Sequence, residues 1–478
     1  MPKPIRTRFA PSPTGALHCG TVRTALFAWL LARHSDGQFL LRIEDTDQKR
    51  EVEGGTENIK ETLRWLGLEW DEGPDVGGPH DPYIQSQRLD IYKHHAQQLY
   101  DKGLAYADPY SVEELEALRK QAMAAKRPFL YRDHRPENPP AWDGSQPLRI
   151  KLDTKSYNWN DAIMGTIEMG PEMVDDYIIM KADGFPTYNF CHIIDDHLMG
   201  ISHVLRSQEF IASIPKFLAT HEALGWETPI NAIAPPVLGE TGGTKLSKRL
   251  GAKPVLWYRD QGYLPEALIN FMVSLGWNDG TEQEIFTVEE LIEKFSLDRV
   301  QRSGARFDEQ RLVWMNGAHI RALDLDDLYS RVQSYWPESA SAFDDDYKRQ
   351  VLSLVQERLK FFAELPDLTS FFYEDLPLNP ELISGHKQLK KLEHAELRGL
   401  LEQGRERLME SDFSIQDLTE RLNNLLETTG QKPAILFSLI RIATTQAPAS
   451  PGLAETLSVL GKERSLSRIE SQLDAFET

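Results

Sequence analysis

The sequence predicts an α/β fold built on a parallel sheet, and three observations predict it. Over the first hundred residues, apolar runs of strand length alternate with amphipathic runs of helix length, which is the βαβ signature of a parallel sheet. A mixed, proline-bearing stretch at 105–180 then interrupts the alternation. The last third of the 478-residue chain carries almost only helical periodicity. Together these describe a Rossmann-like parallel-sheet domain, an inserted α+β domain and an all-α C-terminal part. The boundaries read as 1–104 for the first half of the sheet domain, 105–180 for the insert, 181–240 for its second half, 241–321 for a region with a glycine-rich basic loop, and 322–478 for the helical part.

The elements follow in order. Ile5–Ala10 alternates and reads as a strand. A helix over Thr21–Arg33 puts Val22, Ala25, Leu26, Trp29 and Leu30 on one face. "GQFLLRIEDTD" reads as a second strand ending in acids, "TENIKETLRWLGLEW" as a helix, and "QRLDIYKHHAQQLYDKG" as another, stopped by Gly103. The insert combines short strands, a charged helix at Ser111–Lys126 and the loop "RPENPPAWDG", and the sheet pattern resumes near Tyr177 with "ISHVLR" as a short strand. Beyond Asp324 the helical stretches include "DDLYSRVQSYW", "YKRQVLSLVQERLKFFAEL", "HAELRGLLEQGRERL", "QKPAILFSLIRIAT" and "RSLSRIESQLDAF". No repeat of fixed period and no low-complexity tract occurs.

Composition bounds the function. The chain is 41% hydrophobic and 26% charged, as globular proteins are. No apolar run approaches the roughly 18 residues of a membrane span, so no membrane role is expected. "MPKPIRTRF" lacks the apolar core of a signal peptide. Two cysteines, Cys19 and Cys191, exclude a disulfide scaffold and fit a reducing cytoplasm. A net charge of −20 argues against nucleic-acid binding by bulk charge but leaves room for a local basic face. The acid runs at 324–327 and 344–346 read as solvated faces.

Two segments carry chemistry. In "PSPTGALHCGT", Pro11 and Pro13 stiffen the approach to a helix, while Gly15 and Gly20 let backbone come close to a ligand. The helix that follows offers unpaired N–H groups and a positive dipole end, a seat for phosphate, and His18 stands where its ring would donate to a phosphate oxygen. Neither G-x-G-x-x-G nor the P-loop pattern is present. Far downstream, "LGETGGTKLSKRLG" places Lys245, Lys248 and Arg249 behind three glycines, a loop suited to neutralising the charge of a departing pyrophosphate. Arginines are the natural fork for carboxylates, and Arg8 and Arg206, each near a strand end, would project into one crevice.

"HCGT" and "KLSKR" resemble the two signatures of class I aminoacyl-tRNA synthetases. "RFAPSPTGALH", "LLRIEDTDQKR", "GFPTYNFCHIIDDHLMGISHVLR", "RFDEQRLVWMNG" and "VLGKER" occur in the order in which the glutamyl-tRNA synthetase family carries similar segments, so the resemblance runs from residue 5 nearly to the C-terminus. The first signature ends in Thr21 rather than the commoner histidine, a substitution the glutamyl family also shows. The resemblance implies ATP-dependent joining of L-glutamate to tRNA(Glu) through a glutamyl-adenylate, with AMP and pyrophosphate released. It leaves open a relaxed form that also charges tRNA(Gln). It implies His18, Gly20, Lys245 and Lys248 as catalytic residues. ATP would lie along Pro11, Ser12, Pro13, Thr14, Gly15, His18, Gly20 and Thr21 and the loop Lys245, Leu246, Ser247, Lys248 and Arg249. Glutamate would lie among Arg8, Ala10, Ser12, Glu44, Tyr188, His192 and Arg206. Which arginine takes which carboxylate stays open, as does the role of His192, where some relatives carry another polar side chain. Mg²⁺ would arrive with ATP.

"HIIDDHLMGISH" offers His192, Asp195, Asp196, His197 and His203 as metal-ligand types, but the spacing fits no zinc pattern and no metal site is expected. No zinc is expected in the insert either, since 105–180 contains no cysteine where some relatives carry a cysteine knot. By the same resemblance, the insert would hold the acceptor end of tRNA, 241–321 its inner stem, and the helical part its anticodon; Arg358 falls where discriminating relatives place an arginine that favours tRNA(Glu) over tRNA(Gln), the alternative being a surface arginine on an amphipathic helix. The chain would act as a cytoplasmic monomer.

Overall fold

The computed structural model describes residues 4–246 and 251–476. Arg6–Phe9 pairs in parallel with Gln38–Leu41 across the helix Cys19–His34. That helix carries the expected apolar face, and Phe27, Ala28 and Leu31 are buried as well, so it is covered on most sides. It begins two residues earlier than the hydrophobic periodicity suggests. His18 is the extended residue before the first turn, and its carbonyl accepts from the N–H groups of Thr21 and Val22. Cys19 and Gly20 therefore occupy the first turn, where an amide needs no partner within the helix. At the return to the second strand, Gly37 is required: a Cβ there would stand 2.2 Å from the carbonyl oxygen of Ile5.

His203–Ser207 pairs in parallel with Ile230–Ala234 and lies against Arg6–Phe9, with the Ser202 N–H donating to the Arg6 carbonyl. A third parallel pair joins Val237–Leu238 to Ala305–Arg306. The fold is α/β, as expected.

The insert differs from the expected pattern in one respect. Ile178–Met180, where the sheet pattern was expected to resume, completes an antiparallel sheet with Leu148–Ile150 and Ala105–Ala107. Parallel pairing resumes only at His203. The helix Val112–Ala124 starts on a reciprocal cap between Ser111 and Glu114. A hairpin, Tyr157–Asp161 with Gly165–Met169, is sewn onto the parallel strand Ile230–Ala234. There Asp161 Oδ1 accepts from the N–H groups of Ile163, Met164 and Ile233. Leu148, Ile150 and Ile179 of the insert share one apolar core with Phe190, Ile193, Phe217 and Ile233.

Packing divides the chain into two units. One runs to Arg259 and takes in Pro265–Leu312; the other comprises Asp260–Leu264 and the chain from Val313 onward. The second is helical, cored by Leu397, Leu401, Leu418, Leu425, Leu436, Leu439, Ile440 and Ile469. Here "YKRQVLSLVQERLKFFAEL" is not one helix. Asp345–Val355 ends, a turn follows, and Leu365–Tyr373 begins anew. Within this unit the Lys360 carbonyl is taken by Asn316, and the N–H groups of Phe362 and Ala363 donate to Gly262 and Gln261. These bonds replace the helical ladder, and Arg358 is consequently exposed in a turn rather than on a helix.

Candidate active site

The residues at or just past three strand ends, Phe9–Ala10, Leu205–Ser207 and Pro235, line one cavity of about 380 Å³, as expected for ligands at the carboxyl edge of a parallel sheet. Of the residues singled out in the sequence, Arg8, Ala10, Pro11, Ser12, His18, Gly20, Thr21, Glu44, Tyr188, Arg206, Lys245 and Leu246 line it. Pro13, Thr14 and Gly15 do not. They shape the turn: Gly15 has φ +115°, and the Pro13 carbonyl accepts from the Val52 N–H, as that of Pro11 accepts from Glu44. Ser247, Lys248 and Arg249 lie outside the described residues.

Gly20 serves a close approach. A Cβ there would lie 3.2 Å from His18 Nδ1 and 3.3 Å from Cε1, while His18 Nε2 stands 3.3 Å from the Thr21 hydroxyl. Gly20→Ala therefore shifts the His18 ring by a few tenths of an ångström without straining the helix. The expected result is a loss of about tenfold in kcat, since small misplacements in a reacting geometry are costly. KM for glutamate and thermal stability should be kept, and steady-state kinetics with a melting curve checks all three.

Beneath the cavity lies a buried ionic network. Asp196 accepts from Arg8 Nε at 3.1 Å and from Arg42 Nη1 at 2.9 Å. Arg42 also donates to Glu44 Oε1 at 2.9 Å. Asp195 is taken up by Arg88, Gln85 and Tyr92, each at 2.8 Å. Burial pushes the Glu44 carboxyl up, with Arg42 and Arg8 pulling it back. Burial pushes the Tyr188 hydroxyl up to about 12, so it stays a neutral donor. Both candidate metal carboxylates are thus committed to arginines, and His197 stacks flat on Trp226 at 3.8 Å. Burial pushes the Cys19 thiol up to about 12, which keeps it protonated and unreactive.

Arg206 is held differently from Arg8. Its Nη2 stands 3.1 Å from His192 Nδ1 and 3.8 Å from Asp196 Oδ2. Its Nε and Nη1 are buried with no hydrogen-bond partner among the described residues. Burial lowers its pKa. His192, expected in the glutamate pocket, does not line the cavity; it is fully buried behind Arg206.

Lys245, expected to clamp the transition state, pairs with Glu209 at 2.5 Å at the cavity rim, with both side chains about half exposed. Such a pair contributes roughly 0–1 kcal/mol, so it opens readily for a polyphosphate. Sequence reasoning missed Arg23, Glu209 and Phe210, which also line the cavity. A charge within the apolar run "TVRTALFAWLL" was the available signal for Arg23, whose buried guanidinium caps the Leu275 and Pro235 carbonyls. For Glu209 and Phe210 it was their place just past a strand end.

Residues 4–314 match the family model of the class I tRNA synthetases (E and Q), catalytic domain, and 327–473 match an anticodon binding domain. A glutamate–tRNA ligase of Moorella thermoacetica is 40% identical over 98% of this chain and 97% of its own. The chain belongs to the glutamate–tRNA ligase family. Another glutamate–tRNA ligase, from Roseiflexus sp., is 40% identical over 99% of this chain and 97% of its own. Among solved structures, a glutamate–tRNA ligase from Elizabethkingia meningosepticum in complex with its amino acid has a TM-score of 0.87 at 30% identity, covering 99% of this chain and all of that one. Among the described residues, no helix is long and apolar enough to cross a membrane.

Proposed function

We propose that the protein joins L-glutamate to tRNA(Glu) at the expense of ATP, through a glutamyl-adenylate, releasing AMP and pyrophosphate. One observation carries this reading: two buried arginines, Arg8 and Arg206, and one buried carboxylate, Glu44, line a cavity that also meets a helix N-terminus. That set is complementary to a substrate with two carboxylates and one ammonium, placed beside a phosphate seat.

In the first step an oxygen of the glutamate α-carboxylate attacks the α-phosphorus of ATP, and the bond to the bridging oxygen of pyrophosphate breaks. In the second, a hydroxyl of the terminal ribose of tRNA attacks the carbonyl of the mixed anhydride, and AMP leaves. Neither step needs a covalent enzyme intermediate, so the protein's work is positioning and charge stabilisation. Arg8 and Arg206 would hold carboxylates, Glu44 the ammonium, and Tyr188 and Ser12 would donate to substrate or adenylate. His18 with the helix N-terminus would steady phosphate oxygens. Lys245, released from Glu209, would follow the leaving pyrophosphate, and Lys248 would join it. Mg²⁺ would come bound mainly through the phosphates of ATP rather than in a protein cage.

No zinc is proposed in the insert. Asp108 there is already engaged by the Tyr131 hydroxyl at 2.6 Å and Arg149 Nε at 2.7 Å. The insert would hold the acceptor end, 241–321 the inner stem, and the helical unit the anticodon, where Arg358, exposed in its turn, would meet a base. None of the comparisons supports the relaxed form that also charges tRNA(Gln). The enzyme is proposed to work as a cytoplasmic monomer.

Amino-acid-dependent exchange of labelled pyrophosphate into ATP, run with and without tRNA(Glu), tests the reading. Exchange with glutamate, and not with glutamine or aspartate, is expected. Exchange with another amino acid, or none in the presence of tRNA, contradicts it.

A further inference from the structure

The geometry points to His192 as a specificity-determining positioning residue: by giving Arg206 a neutral hydrogen-bond acceptor in place of a directly bonded carboxylate, it aims that guanidinium and leaves most of its positive charge for the substrate to meet. The inference rests on the glutamate reading above and concerns how the same pocket tells glutamate from glutamine.

A guanidinium has only donors. The 3.1 Å contact from Arg206 Nη2 therefore requires a lone pair on His192 Nδ1, which is the neutral ring with its proton on Nε2. The surroundings favour the neutral ring, although its Nε2 is buried without a hydrogen-bond partner among the described residues. Burial and the nearby Arg206, Arg8 and Arg42 hold the His192 pKa well below its usual value, with only Asp196 acting the other way. The ring is also fixed in place, with Tyr188 at 4.9 Å on one side and Phe217 edge-on at 4.5 Å. Phe217 carries the Arg206 guanidinium over its face as well, at 4.8 Å.

The two pocket arginines are thus treated unequally. Arg8 has a direct counter-ion in Asp196, at 3.1 and 3.5 Å. Arg206 has its hydrogen bond from an uncharged ring, the same carboxylate only at 3.8 Å, and two buried nitrogens without partners among the described residues. A buried cation left in that condition binds an anion far better than a neutral amide, because the amide leaves the charge unpaired. A carboxylate at position 192 would meet that charge internally and erase the distinction.

The test uses full-length protein, labelled glutamate or glutamine, ATP and tRNA(Glu), comparing wild type with three variants. His192→Leu removes the acceptor and is expected to raise the KM for glutamate about tenfold or more, the value of a hydrogen bond to a charged group, with the KM for ATP unmoved. His192→Asn, which puts a neutral acceptor near the place of Nδ1, is expected to recover most of that loss. His192→Asp also supplies an acceptor but brings a charge, and is expected to raise the KM for glutamate and lower the preference for glutamate over glutamine. If His192→Leu does not fold, the contrast between Asn and Asp, nearly equal in volume, decides. Asn and Asp behaving alike, or KM for ATP moving with KM for glutamate, overturns the inference. Wild-type protein that charges no glutamate overturns the functional reading instead.

Discussion

Arg206→Ala raises the KM for glutamate by at least about a hundredfold, the loss of two hydrogen bonds between charged groups. It leaves the melting temperature unchanged or higher. The two halves of this expectation have one cause. Arg206 is 6% exposed, its pKa is lowered by burial, and two of its nitrogens lack partners among the described residues. A cation in that state is a cost to the empty protein and a gain only when a carboxylate arrives, so function falls while stability does not. Steady-state kinetics in glutamate and a melting curve on the same preparation check it; a large fall in melting temperature would make Arg206 a structural residue.

The second large effect is on stability. Asp196→Asn keeps shape and removes one charge, but it strips the direct counter-ion from Arg8 and one of the counter-ions from Arg42, both buried. Breaking a buried pair from one side costs about 3–5 kcal/mol, which is expected to lower the melting transition of the first unit by about 10 °C. Burial alone would raise the Asp196 carboxyl, yet Arg8 and Arg42 outweigh it and hold the pKa well below the carboxylate range. The stability this contributes is complete above about pH 4, the unfolded value, and is lost as pH falls below it. Wild type should therefore lose stability steeply in acid, and Asp196→Asn should lose less over that range. Identical acid limbs would show that Asp196 is not the group that links them.

What the sequence made legible was chemistry confined to short segments. Arg8 and Arg206 could be placed because residue type and strand-end position together imply the crevice, and Glu44 because the family resemblance implies it; all three line the cavity, as do Pro11, Ser12, His18, Gly20 and Thr21 of the turn. What holds those groups could not be read. Asp196 meets Arg8 across 188 positions and Arg42 across 154, and nothing local marks it as other than one acid in "IIDDH". His192 was drawn into the pocket by the family resemblance, but the helix Tyr188–Leu198 carries Tyr188 to the cavity wall and turns His192 behind Arg206. The broken helix at 345–373 failed for a similar reason. Its periodicity is helical, but the competing bonds come from Asn316, Gln261 and Gly262, which lie far away in the chain.

The most direct test of the central claim is charging with labelled glutamate, using purified tRNA(Glu) and tRNA(Gln) in separate reactions with ATP and Mg²⁺. The account predicts ATP-dependent glutamylation of tRNA(Glu), with AMP and pyrophosphate released; charging of tRNA(Gln) as well would make it the relaxed form. Folded protein that binds tRNA(Glu) and leaves it uncharged would contradict it.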